Sequence, residues 1–198
     1  MGGKKIIILT SIIAIILLFG AGGFYFLKFR NKPIEKTQAQ QEKNYFEIND
    51  EASGIYFKVS KKFERMPARD LQIKNPNFIY GFSAADDKNV NCYISQTKRE
   101  SDGQITVGKL RDGVFEQVKK TFSDAKLDSQ EIVEVGENNN KGAKLKISYV
   151  DGDIPKLQWE VAGITQKNAV FAFCELPQAV VDLYKDSVDL FLDSLNIK

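Results

Sequence analysis

Cys92, Cys174 and the carboxylate groups Asp86-Asp87 and Asp151-Gly152-Asp153 are side chains in this sequence that could do chemistry. The two cysteines stand 82 positions apart with no second cysteine near either. That spacing removes a thioredoxin-type pair and a zinc knuckle, and leaves either one disulfide or two buried thiols acting as small hydrophobes. Clustered carboxylates attract Ca²⁺, but neither acidic group has EF-hand spacing, and Asp-Gly is common hairpin-turn chemistry, so both read as turns. A glycosidase-type pair of acids is not marked by any motif. Gly108 and Gly113 lack the Lys-Ser/Thr or strand context of a phosphate-binding loop. There is no histidine. Imidazole acid/base catalysis, Ser-His and Cys-His nucleophiles, and nearly all catalytic zinc sites are thereby excluded. The expectation is a non-catalytic chain with no catalytic residue, no metal site and no cofactor.

The elements that position these residues follow an uneven charge distribution. Residues 1–43 carry 7 Lys/Arg against 2 Asp/Glu, whereas residues 44–198 carry 21 against 24. A body with a slight acidic excess has no field to draw in phosphates, so nucleic acid is not an expected partner. Ile6 to Leu27 is 22 residues without a charge, and as a helix it would reach roughly 33 Å, enough to cross a bilayer core of about 30 Å. A cleaved signal peptide ending near Ala21-Gly22-Gly23 is the other reading. The apolar run continues through Phe24 to Leu27, which favours a retained anchor. Flanking positive charges tie, Lys4 and Lys5 with the amino terminus against Lys28, Arg30 and Lys32, so the charge rule leaves both orientations open; the short basic head and long C-terminal body, the form of a signal anchor, favour the body outside the cytoplasm. The expected organisation is 1–28 membrane anchor or signal peptide, 29–43 polar tether, and 44–198 globular domain.

Within the body, "NYFEIND" and "GIYFKVS" read as a hairpin, and "NFIYGFSA" and "VNCYISQTKR" as two further strands. From Thr106 the period changes. Leu110, Val114, Val118 and Phe122 recur every four residues, which predicts an amphipathic helix. "SQEIVEVGE", "AKLKISYV" and "KLQWEVAGI" follow as strands separated by the turns "NNNKG" and "DGDIP", and Lys144, Lys146 and Ser148 give the second of them one solvated face. Trp159 is expected in the core. In Ala169 to Cys174 both alternating sets are apolar, which predicts a strand in the middle of a sheet covered on each side. Pro177 suits a first helical turn, and Val180, Tyr184, Val188, Phe191 and Leu195 line one side of a closing helix.

"GIYFKVSKKFERM" and the ending "VVDLYKDSVDLFLDSLNI", in this order of elements, resemble the PsbP-like family over about residues 44–198. Ser60, Phe63 and Leu195 stand where the family pattern has Pro, Trp and an aromatic residue. The resemblance implies an α+β fold, a PsbP-like α/β/α sandwich with a central antiparallel sheet; the run Ile6 to Leu27 is expected to precede it as one N-terminal transmembrane helix. The resemblance also implies a non-enzymatic, extracytoplasmic accessory or scaffold protein that binds partners. An envelope hydrolase working through carboxylates is the rival reading. Ser60 to Asn77 has little periodicity apart from a short strand expected at Leu71 to Lys74, and it mixes long basic and apolar side chains. Interfaces draw on aromatic residues, Met and Arg, so Phe63, Arg65, Met66 and Arg69 are the candidate contacts for a protein or envelope-polymer partner. The alternative is a strand with ordinary turns.

Overall fold

The computed structural model describes residues 43–98, 106–136, 140–165 and 167–198. The apolar segment Ile6 to Leu27 and most of the tether lie outside the described residues, as does part of the "NNNKG" turn. Among the described residues no helix is long and apolar enough to cross a membrane.

Seven strands build the central sheet: β3 (Phe63–Arg65), β4 (Phe78–Ala84), β5 (Asn91–Lys98), β6 (Lys126–Glu134), β7 (Lys141–Asp151), β8 (Ile154–Ile164) and β9 (Asn168–Pro177). Their spatial order is β3-β4-β5-β9-β8-β7-β6 and every pairing is antiparallel. The doubly apolar strand β9 is therefore the middle one. A smaller sheet joins β1 (Tyr45–Asp50), β2 (Ile55–Ser60) and β10 (Asn196–Ile197), with β2 in the centre. Three helices complete the fold: α1 (Ala68–Lys74), α2 (Val107–Thr121) and α3 (Val181–Asp193).

The core has two layers, one on each face of the central sheet. On one face α3 contributes Tyr184, Val188, Phe191 and Leu192, which pack with Ile55, Phe57 and Val59 of β2 and with Val170, Ala172 and Cys174 of β9. Phe57 is fully buried, with its ring edge-on to Phe191 at 5.6 Å and to Phe82 at 6.0 Å. On the other face the α2 stripe Leu110, Val114 and Val118 lies over Leu145, Ile147 and Tyr149 of β7. This is the expected α/β/α arrangement. Trp159 is buried in the α3 layer.

Several local readings change. Pro177 ends β9, paired with Lys156, and a 3-10 turn over Gln178–Val180 precedes α3. The lysine face of β7 is only partly open to solvent: Lys144 pairs with Asp193 of α3, and the Lys146 ammonium sits 4.1 Å from the Trp159 ring centroid. After α3 the chain adds a strand that periodicity does not mark. Ser194 accepts the Lys58 amide at 2.8 Å, and Ile197 pairs with Ile55. Two residues are too few for an alternation, so β10 carries no pattern of its own. Asp151 and Ile154 pair across the turn between β7 and β8, where Gly152 takes a left-handed φ of 64°.

Candidate functional site

Helix α2 begins at Thr106, whose hydroxyl accepts the Lys109 amide and so satisfies one of the free donors of the first turn. Its apolar stripe seats it over β7 and the flank of β8, and Phe122 just beyond it stacks on Tyr149 with ring centroids 4.1 Å apart. The helix thus lies to one side of the sheet's middle. The same face of β9 and β5 is left beside it rather than beneath it. Phe171 and Phe173, expected to be covered, are only half-buried.

Between α2 and this uncovered part of the sheet runs a groove of about 660 Å³, within the size range of ligand sites. Leu110, Val114, Gln117 and Phe122 form one wall, and Asn75, Asn77 and Phe78 the other. The floor is Ser95 and Thr97 of β5, Phe171 and Phe173 of β9, and Gln158 and Glu160 of β8. At one end Phe78, Tyr93 and Phe173 make an aromatic cluster, with centroids 4.7 Å and 5.2 Å apart along the chain of contacts.

Glu160 is the unusual member of this lining. It is 4% exposed, and its carboxyl accepts from the Gln158 side-chain amide at 2.7 Å. Burial pushes its pKa up to about 7; the Gln158 hydrogen bond opposes the rise, and the nearby Glu175 adds to it. Glu175, on the same face of β9, is also raised by burial, against the pull of Lys156 and a hydrogen bond from the Tyr149 hydroxyl. Tyr149 and Tyr93 are raised by burial too, and Lys74 of α1 donates to the Tyr93 oxygen at 2.8 Å. Among the described residues Glu160 is the one carboxyl in the groove lining. Glu175, diagonal to it across the β8–β9 pairing, is the nearest second carboxyl on this face. Among the described residues there is no group of three or more acidic or cysteine side chains able to hold a metal ion.

Cys92 and Cys174 stand directly opposite one another on β5 and β9, with Cα atoms 4.0 Å apart, and are joined by a disulfide buried under α3.

The Ser60 to Asn77 stretch is ordered as β3 and α1, so it is not irregular, and its Leu71 to Lys74 portion is helical rather than a strand. The Met66 amide donates to the Gly81 carbonyl at 2.8 Å, which ties the segment to β4 just before Pro67 turns it into α1. Leu71 is the one buried residue of this seven-residue helix, and it nests over Gly81, where a Cβ would meet its Cδ1 at 2.4 Å. One buried residue gives no period to read. Phe63 is 4% exposed and packs against Tyr184, so it belongs to the core and not to a contact surface. Arg65 and Arg69 are exposed and Met66 half-buried. The Arg65 guanidinium lies 5.1 Å from the Tyr80 ring centroid, and Ile73 on α1 is 74% exposed.

No protein-family model and no curated protein sequence matches the chain. Solved structures do. Cyanobacterial PsbP from Synechocystis sp. PCC 6803 superimposes with a TM-score of 0.60 at 14% identity, covering 78% of this chain and 93% of that one. LpqN of Mycobacterium tuberculosis, a protein involved in cell envelope biogenesis, gives 0.57 at 12% identity over 78% and 90%. The Saccharomyces cerevisiae Ran-binding protein Mog1p gives 0.55 at 8% identity over 78% and 95%. Identities this low establish shared architecture alone, and the globular body of this chain has the PsbP-like fold.

Proposed function

We propose that this protein is a membrane-anchored, extracytoplasmic accessory domain that works by binding rather than by catalysis, and that its ligand site is the groove between α2 and the central sheet. The observation that carries the reading is the groove itself, with Glu160 buried in its floor among half-buried phenylalanines. Large, mostly apolar clefts with a few converging polar groups are where proteins bind ligands. The anchor reading rests on Ile6 to Leu27. Outward placement suits the buried disulfide, since such bridges persist in oxidising compartments. That similar architecture occurs in a Ran-binding protein agrees with a binding role.

Gly113 provides the test. It lines the groove on α2, and a Cβ added there meets nothing within 4 Å. Gly113→Leu is therefore expected to fill part of the groove while gaining roughly 0.5–1 kcal/mol from helix propensity. The full-length chain in nanodiscs would be exposed to a set of alkyl and aromatic fragments and read by hydrogen–deuterium exchange. Protection should concentrate in Val107–Thr121, Ile154–Ile164 and Asn168–Pro177 and be lost in the leucine variant. Protection elsewhere, or none, sinks the reading.

A second surface is favoured by the exposure of Ile73 beside Arg65, Met66 and Arg69. It suits a protein or envelope-polymer partner. A photo-crosslinker at position 73 in intact cells should trap such a partner, and Arg65→Ala with Arg69→Ala should cut the adduct yield several-fold. The stability cost should stay within about 1 kcal/mol, chiefly the lost Arg65–Tyr80 contact. Unchanged yield in the double variant would show that the arginines do not hold the partner.

A further inference from the structure

Burying a carboxyl is costly unless something compensates for it. Around Glu160 the compensation is thin. Its hydrogen-bond partner is a neutral amide, and among the described residues no lysine or arginine figures in its electrostatics, whereas Glu175 does, with the same sign. Lys109 is the one cation among the lining residues; it sits exposed on the first turn of α2 and does not figure in the electrostatics of Glu160. The walls near Glu160 are rings: it pairs directly across the strands with Phe173, and Phe78, Phe122 and Phe171 share the lining. Aromatic faces attract cations and accommodate methylene chains. The rest of the polar lining is neutral, made of the amides and hydroxyls of Asn75, Asn77, Ser95, Thr97 and Gln117. Such groups can both donate to and accept from peptide groups.

We propose that the groove receives a lysine side chain of a peptide or protein segment, with its ammonium against the Glu160 carboxylate, its methylene stem along Phe171 and Phe173, and its flanking peptide groups on the neutral polar rim. The inference rests on the reading of this groove as the binding site and adds the class of occupant. A lysine supplies what the groove lacks, a single positive charge at the end of an apolar stem. An anionic ligand would place a second negative charge beside Glu160 and Glu175. The titratable and charged groups sharing this face include Glu175 of β9, Tyr149 and Asp151 of β7, Tyr93 of β5, Lys156 of β8, which pairs with Asp151, Lys109 of α2 and Lys74 of α1.

The test compares two short peptides, acetyl-Gly-Lys-Gly-amide and its norleucine counterpart, which differ by the ammonium. Each is titrated into the full-length chain in nanodiscs, with binding read as exchange protection of Ile154–Ile164 and Asn168–Pro177. At pH 8 the lysine peptide should bind at least about tenfold more tightly, as expected for a desolvated charge pair. Because the carboxyl must ionise to accept the ammonium, its affinity should fall about tenfold between pH 8 and pH 6. Glu160→Gln should abolish both the preference and the pH dependence, and Glu175→Gln should leave the pH dependence in place. If the norleucine peptide binds the groove equally well, the cation assignment is overturned while the groove reading stands. If n-butylamine matches the lysine peptide, the occupant is a free amine and the peptide assignment falls. If neither peptide nor amine protects these strands, the inference is overturned, and the fragment experiment with Gly113→Leu decides separately whether the groove binds anything.

Discussion

Replacing Cys92 and Cys174 together with alanine is expected to lower the unfolding free energy by about 4 kcal/mol, close to the chain-entropy value for a bridge spanning 82 residues. For a body of this size each kcal/mol moves the melting temperature by roughly 2–4 °C, so the loss should be about 8–16 °C. The bridge joins neighbouring central strands, so alanine in place of each buried sulfur adds only a small packing loss to this figure. Thermal unfolding of the full-length chain with and without the pair measures it. Thiol trapping under denaturing conditions supplies the matching chemical test: cells quenched directly into denaturant and alkylating reagent should leave both cysteines unmodified unless a reductant is added first. Freely alkylated cysteines, or a loss below about 1 kcal/mol, would remove the bridge as a structural element and with it one support for placing the body outside the cytoplasm.

Glu160→Gln should act in the opposite direction, and only in part of the pH range. The folded chain holds the Glu160 proton up to about pH 7, against an ordinary value of 4.5. Between those values the unfolded chain has released a proton that the folded chain keeps, so stability falls as pH rises through the interval. It is fully present below 4.5 and lost above 7. The interval corresponds to about 3 kcal/mol. A glutamine cannot ionise and retains the amide contact to Gln158. The variant should therefore exceed the native chain by about 3 kcal/mol at pH 8, roughly 6–12 °C in melting temperature, and approach it at pH 5. Equal melting curves at pH 8 would mean that solvent already stabilises the carboxylate and that the groove floor is wetter than its burial implies.

Much of the architecture was legible because the large elements carry strong periods. Leu110, Val114 and Val118 mark α2, and the doubly apolar run from Ala169 to Cys174 marks the central strand, since only a middle position hides both faces. The groove was not legible. Gln158 and Glu160 alternate with Leu157, Trp159 and Val161, the pattern of a strand with one solvated face. Whether such a face meets water or the shadow of a helix depends on where α2 comes to rest, and a helical stripe says which side is buried but not which strands it covers. A glutamate two residues from a glutamine, beside the most apolar strand of the chain, was the available signal. Segment α1 was missed for a simpler reason. Its single anchor, Leu71, fits into the space left by Gly81 ten residues further on, and a contact of that kind leaves no repeat in the sequence.

The position of β10 bears on the order in which the protein assembles. Ile197 closes against Ile55 and lies so near Gly136 that a Cβ there would come within 2.2 Å of its carbonyl oxygen, while the Lys198 amide donates to Gly54 at 2.9 Å. Early and late segments therefore meet in the α3 layer, whereas the α2 layer uses mainly residues between Leu110 and Ala162. A chain emerging from a ribosome can pack α2 on β7 from nearby segments, but Phe57 and its neighbours stay bare until Phe191 and Ile197 have arrived. Exposed apolar surface of that kind is what chaperones bind and what aggregates. A chain stalled before Val180 would present β2 and the α3 face of β9 without their cover, and quality control at the site of synthesis or export would act on that intermediate rather than on the finished fold.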